Sequence, residues 1–92
     1  MFINIGFGNF VNSDLIVAIG RADSAPARRL ISRARESNIL VDCTQGRKTK
    51  TILTAMNGQV ILSALTPETV TGRLRTDSAD ALPEEEEESG EQ

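Results

Sequence analysis

Thr51-Ile52-Leu53-Thr54-Ala55-Met56-Asn57-Gly58-Gln59-Val60-Ile61-Leu62-Ser63-Ala64 is the stretch on which the fold turns. Residues 51–56 alternate branched and small side chains and read as a strand. Residues 59–64 read as its return. Asn57-Gly58 between them is a two-residue hairpin signal, because both central positions of the favoured turn take positive φ. Immediately before the hairpin lies Gly46-Arg47-Lys48-Thr49-Lys50, and before that Ile39-Leu40-Val41, a further strand interrupted by 42–46.

Working outward, a helix precedes that strand. Ser24 is its N-cap and Pro26 sits in the first turn, where a missing N–H costs nothing. Ala27, Leu30, Ile31 and Ala34 fall at i, i+3, i+4 and i+7 and form one apolar stripe. Arg28, Arg29, Arg33 and Arg35 lie on the opposite side. Asn38 is the expected C-terminal residue. Further upstream, Leu15-Ile16-Val17-Ala18-Ile19 is a continuous run of branched and small apolar residues, too short for a helix, and reads as a buried strand. Phe2-Ile3-Asn4-Ile5 reads as a short first strand ending in Gly6-Phe7-Gly8-Asn9. Downstream, Thr66-Pro67-Glu68 starts a short helix whose buried contacts are Val70 and Leu74. The order is β-β-α-β-β-β-α. The expected class is α+β, with about five strands in a small sheet, one central amphipathic helix and one short C-terminal helix.

Charge divides the chain in two. All ten Lys and Arg fall in residues 1–76, against five acids there, so this body carries five net positive charges. Residues 77–92 hold eight acids and no base, five of them in the run Glu84 to Glu88, and together the halves give the overall −3. The expected organisation is a folded domain over 1–76 and a disordered acidic tail over 77–92, because the tail has almost nothing to bury. The folded part is roughly 75 residues, near the size at which one core is barely sufficient, and association with further copies would bury more surface. A basic body with an acidic tail, which a whole-chain pI of 4.9 conceals, fits two readings equally: a body that binds a polyanion, or a solvated surface with a solubilising tail. The tail is long enough to reach basic surface on its own or a neighbouring subunit and compete with a polyanionic partner, and a purely solubilising role accounts for it equally well.

Catalysis finds little support. There is no histidine, the usual general base at neutral pH, and the single cysteine, Cys43, has neither an imidazole nor a disulfide partner in the chain. Cys43 reads as a packing residue at a strand end. No group of Cys, Asp and Glu has metal-ligand spacing, so neither a metal nor another cofactor is expected. Gly6-Phe7-Gly8 resembles the start of a phosphate loop but lacks the later glycine or Gly-Lys-Ser/Thr, and reads as an unusual turn or a close subunit contact. No apolar run approaches membrane-spanning length and no signal-peptide pattern opens the chain, which fits a cytoplasmic protein with no membrane contact.

The basic segment is the sharper feature. Arg47, Lys48 and Lys50 place three cations within four residues, and Thr49 adds a hydroxyl that can reach a phosphate oxygen. Groups of this kind fix position on a duplex without reading its sequence; taken alone, a basic turn this short is more often simply solvated.

Three segments together carry a family resemblance: Ile3-Asn4-Ile5-Gly6-Phe7-Gly8-Asn9; Asp23-Ser24-Ala25-Pro26; and Asp42-Cys43-Thr44-Gln45-Gly46-Arg47-Lys48-Thr49-Lys50, with Val60-Ile61-Leu62-Ser63-Ala64 and Thr66-Pro67-Glu68-Thr69-Val70 after it. In this order they resemble the RemA family, extracellular matrix regulatory protein A and its homologues, over residues 2 to about 75. The resemblance implies a bacterial, nucleoid-associated DNA-binding regulator that forms a homo-oligomeric ring. The best-known members activate biofilm matrix genes, and for them the resemblance implies DNA following the ring surface, partly as on an architectural protein. It implies duplex DNA contacts at Arg47, Lys48 and Lys50, with Thr49 beside them; Arg21, Arg28 and Arg29 are secondary candidates. Two positions depart from the family pattern. Leu15 stands where members carry a functional arginine, and Lys48 replaces an arginine. The second change preserves a phosphate contact while weakening bidentate contact with guanine. A protein-interaction scaffold, or an RNA-binding ring using the same basic face, is the alternative, although no aromatic stacking platform is evident for RNA. No small-molecule substrate is expected.

Overall fold

The computed structural model describes residues 1–75; the acidic segment 77–92 lies outside the described residues. Among the described residues six strands form two sheets. β1 (Phe2–Asn4) and β2 (Phe10–Asn12) make an antiparallel pair, with Ile3 opposite Val11. β3 (Ile16–Arg21), β4 (Leu40–Asp42), β5 (Thr51–Ala55) and β6 (Val60–Ser63) form a four-stranded sheet in the order β3-β5-β6-β4. Its β3-β5 and β5-β6 pairs are antiparallel, and β4-β6 is parallel. Helix α1 (Ala25–Glu36) supplies the crossover between β3 and β4, and α2 (Pro67–Arg75) follows β6. The α+β class is as expected, with one strand more and the strands split between two sheets.

The central strands explain the layering. On β5, Leu53 joins one apolar cluster and Ile52 the other; on β6, Ile61 faces the first cluster and Val60 and Leu62 the second. Alternating residues therefore bury both faces of the sheet. The first cluster adds Ile3, Ile5, Leu65 and Val70 from the β1-β2 hairpin, the segment after β6 and α2. The second adds Ala22, Ala27 and Ala34, with Leu30 and Ile31 packed against it, so the predicted stripe of α1 is its buried face. Two hydrogen bonds tie the outer pieces to the sheet, and a third ties α2 to β1. Ser63 Oγ donates to the Ile5 carbonyl at 2.9 Å, Thr51 Oγ1 to that of Leu65 at 2.7 Å, and Arg73 Nη1 to that of Asn4 at 2.8 Å.

Helix α1 has both expected ends. Ser24 Oγ accepts from the Ala27 N–H at 3.2 Å. At the C-terminus Asn38 takes φ +61°, Asn38 N–H donates to Arg35 and Ile39 N–H donates to Ala34. That pair of bonds with a left-handed residue between them is a Schellman ending.

Three sequence readings need correction. The run 15–19 is not a buried strand: Leu15 ends a single 3-10 turn (Ser13–Leu15), and β3 lies at a sheet edge with Val17 65% exposed. The register shifts between Ile16 and Ala18, making Val17 an extra, bulged residue. The bulge lets Ile16 and Ile19, three apart, pack on the same cluster and turns Val17 outward. Next, Phe10–Asn12 is a strand that the sequence reading passed over. Finally, the Asn57-Gly58 hairpin is real, but only Gly58 has positive φ (+93°). Gly58 N–H donates to Ala55, and Ala55 N–H to Gln59. The connection is thus a three-residue loop, a tight turn closed by a left-handed glycine.

Candidate nucleic-acid interface

Two consecutive positive φ values do occur, at Gln45 (+56°) and Gly46 (+82°). Arg47 N–H donates to the Thr44 carbonyl at 3.0 Å, closing a four-residue turn immediately before the basic segment. The turn is braced from beneath. Asp42 Oδ1 accepts from both the Thr44 N–H (2.9 Å) and the Thr44 hydroxyl (2.7 Å), and Thr44 is buried. These bonds, the hydroxyl's foremost, together with Arg35 hold the Asp42 carboxyl below the usual carboxylate range. Neighbouring Cys43 is half-buried against the first apolar cluster. Burial, with the Asp42 charge, pushes its thiol up, away from the thiolate a nucleophile needs.

Beyond the turn the chain re-enters the sheet. Lys50 N–H donates to Ser63 and the Lys50 carbonyl accepts from Ala22, while Arg21 pairs with Thr51. This register brings Arg21 beside Lys48 and Lys50 around a cleft of about 240 Å³, which Thr49, Thr66 and Pro67 also line. Two acids, Asp23 and Glu68, share it. Arg21 is already engaged, its Nε and Nη2 donating to the two carboxylate oxygens of Asp23 at 3.2 and 2.9 Å. That ion pair lowers the Asp23 carboxyl and raises the Arg21 guanidinium from their ordinary values. Both partners are exposed, so the pair is easily exchanged for another anion. Among the described residues Lys48 and Lys50 make no ion pair.

Arg47 stands apart from this cleft. Its Cζ lies over the Phe7 ring, 4.3 Å from the centroid, and its Nη1 donates to the Gln45 carbonyl at 3.4 Å. Phe7 belongs to the loop 6–8, where all three residues have positive φ, so the Gly6-Phe7-Gly8 segment is an unusual turn as expected. Asn9 Nδ2 joins the two loops by donating to the Gly6, Phe7 and Cys43 carbonyls. Thus Lys48, Thr49 and Lys50 line one cleft with Arg21, Arg47 adjoins them in the chain but stacks on Phe7, and Arg28 and Arg29 are exposed on α1 without lining the cleft. The sequence marks Gly6-Phe7-Gly8-Asn9 only as an unusual turn within a segment that carries the family resemblance; that Phe7 and Asn9 meet the basic turn depends on contacts distant in the chain.

The model of extracellular matrix regulatory protein A-like proteins, RemA-like, matches residues 2–74. The chain belongs to the RemA-like family. A Synechococcus elongatus protein named for an inferred regulatory role is 55% identical over 78 residues, covering 85% of this chain and 90% of its own. A similarly named Brevibacillus brevis protein is 51% identical over 74 residues, 80% of this chain and 86% of its own. One from Acetivibrio thermocellus is 46% identical over 86 residues, covering 94% and 92%. The match takes in both the Phe7 loop and the basic turn, so the RemA-like region and the candidate surface coincide. Among the described residues, no helix is long and apolar enough to cross a membrane.

Proposed function

We propose that this RemA-like protein is a non-enzymatic regulator that grips the backbone of duplex DNA through Arg47, Lys48, Thr49 and Lys50, with Arg21 as a further contact. The observation that carries the reading is the convergence of Arg21, Lys48 and Lys50 on one cleft beside a braced turn. A phosphate oxygen entering the cleft relieves repulsion among the three cations and can replace Asp23 on the Arg21 fork. Asp23 and Glu68 oppose it, so a single protomer binds weakly. Closed assembly of the chain into a ring repeats the surface at fixed spacing, and a curved duplex then engages several protomers at once. The exposed apolar side chains of Phe2, Phe10, Leu15, Val17 and Met56 support such assembly.

The test is binding of a short duplex measured over a salt series. Each neutralised phosphate contributes about −0.9 to the slope of log K against log salt. A slope steeper than one protomer's three or four contacts supports engagement of several protomers. Replacing Arg47 and Lys48 together with alanine weakens binding to every duplex sequence; an affinity unchanged by that replacement rules the surface out. Equal affinity for duplex DNA, single-stranded RNA and heparin would instead favour a general polyanion-binding scaffold.

A further inference from the structure

We infer that Phe7 is a positioning residue for Arg47, holding its guanidinium at the DNA-facing surface; this rests on the backbone-grip reading of the basic turn. Phe7 has φ +55°, a conformation that costs an L side chain and is taken more easily by glycine or asparagine. Phe7 is partly buried and belongs to neither apolar cluster. Its ring instead lies beneath the Arg47 guanidinium at 4.3 Å.

The ring has a fixed place relative to the basic turn. Asn9 Nδ2 grips the carbonyls of Gly6 and Phe7 and also that of Cys43, the residue before the turn begins. Ile5 N–H and Asn9 N–H close the base of the same loop through the Asn9 and Gly6 carbonyls, at 2.8 and 3.0 Å. Two loops far apart in sequence are thereby locked together, one supplying the aromatic face and the other the cation.

The chemistry divides Arg47 usefully. The aromatic face attracts the guanidinium through its quadrupole and covers one side of it. The guanidinium's in-plane N–H groups are the ones that recognise a phosphate. A stacked arginine therefore loses less rotational freedom on binding than a free one. Lys48 and Lys50 contribute point charges to the neighbouring cleft, while Arg47 sets the orientation of the backbone across the surface.

The experiment uses the full chain and a short duplex at fixed salt, with Phe7→Asn, Phe7→Tyr, Arg47→Ala and the Phe7→Asn/Arg47→Ala double variant. Asparagine tolerates the left-handed backbone while removing the ring; tyrosine keeps the ring. Phe7→Asn is expected to weaken binding about two- to fivefold, the range of an exposed cation–aromatic contact. Phe7→Tyr should bind like the unaltered protein, and Phe7→Asn should have no further effect once Arg47 is alanine. Arg47→Ala weakening binding while Phe7→Asn does not would overturn the inference and leave the DNA reading intact. If Arg47→Ala leaves affinity unchanged, Arg47 is not a DNA contact and the inference fails while the cleft of Arg21, Lys48 and Lys50 keeps its own test; if the unaltered chain binds no duplex, the DNA reading itself falls. The side-chain NMR signals of Arg47 then decide the stacking independently. Ring-current shifts of its δ protons should vanish in Phe7→Asn, and δ-proton shifts identical in both proteins overturn it.

Discussion

Asp42 occupies one exposed position, but its carboxylate organises the turn that carries the basic residues. It accepts two hydrogen bonds from Thr44, whose side chain is buried, so removing the acceptor strands donors that water cannot readily reach. Asp42→Ala should destabilise the domain by about 1–2 kcal/mol, and Asp42→Asn by less, because it keeps the acceptor oxygen. The Asp42 carboxyl is held below its ordinary value by Thr44 and Arg35, so the folded state binds its proton less readily than the unfolded chain. Its contribution is complete above the ordinary carboxylate value of about 3.9 and is lost as pH falls through the lower folded-state value. Urea unfolding between pH 3 and 7 checks this: the stability difference between the unaltered protein and Asp42→Asn should narrow only at the acid end, and a difference constant with pH refutes it. At this scale the cations were legible in the sequence, because charge is carried in the residue type. Phe7 was not, because its role depends on a contact forty residues away.

Among the elements, α1 is where local chemistry and tertiary packing agree most fully. The Ser24 cap, the early proline, the apolar stripe and the left-handed Asn38 each follow from neighbours within a few residues, and the structure has all four. Ser24→Ala removes the acceptor for the Ala27 N–H and should cost about 1 kcal/mol, measured as a lower midpoint in thermal unfolding. No loss of stability would mean that the Ala27 N–H finds another partner. Strands were less legible for a physical reason. The apolar run 15–19 gives no sign of the bulge at Val17, which depends on pairing with β5. β2 is only three residues long and too short to establish a period. The hairpin was recognisable from Asn57-Gly58, yet the loop is one residue longer than the dipeptide implies, since Met56 leaves the ladder as well. Pairing partners, rather than propensities, fix these details.

For the whole molecule, the sheet is covered on both faces and still leaves several large apolar side chains in water. Phe2 and Phe10 are 68% and 59% exposed on the β1-β2 hairpin; Val17 and Met56 are 65% and 69% exposed at the β3 edge and the following hairpin. In register, Phe2 lies opposite Asn12 and Phe10 opposite Asn4, so both phenylalanines occupy the hairpin face opposite Ile3 and Val11. A ring requires two different surfaces on each subunit, one fitting the other on the next copy. The hairpin face and the β3 edge meet that requirement under the proposed assembly. Phe2→Lys and Val17→Lys, made separately, introduce charge where neither native side chain is buried, so the subunit fold should be little changed, as circular dichroism can verify. Each should nevertheless reduce the mass of the particle, read by mass photometry. Smaller particles should also lose the steep salt dependence of duplex binding, falling towards a single protomer's few contacts at about −0.9 each. If both variants keep the unaltered mass, neither patch is a subunit contact. If the mass falls but the salt slope stays steep, a ring is not what gathers the phosphate contacts, and the grip must be spread over one protomer, with the α1 arginines and Arg75 as further exposed cations.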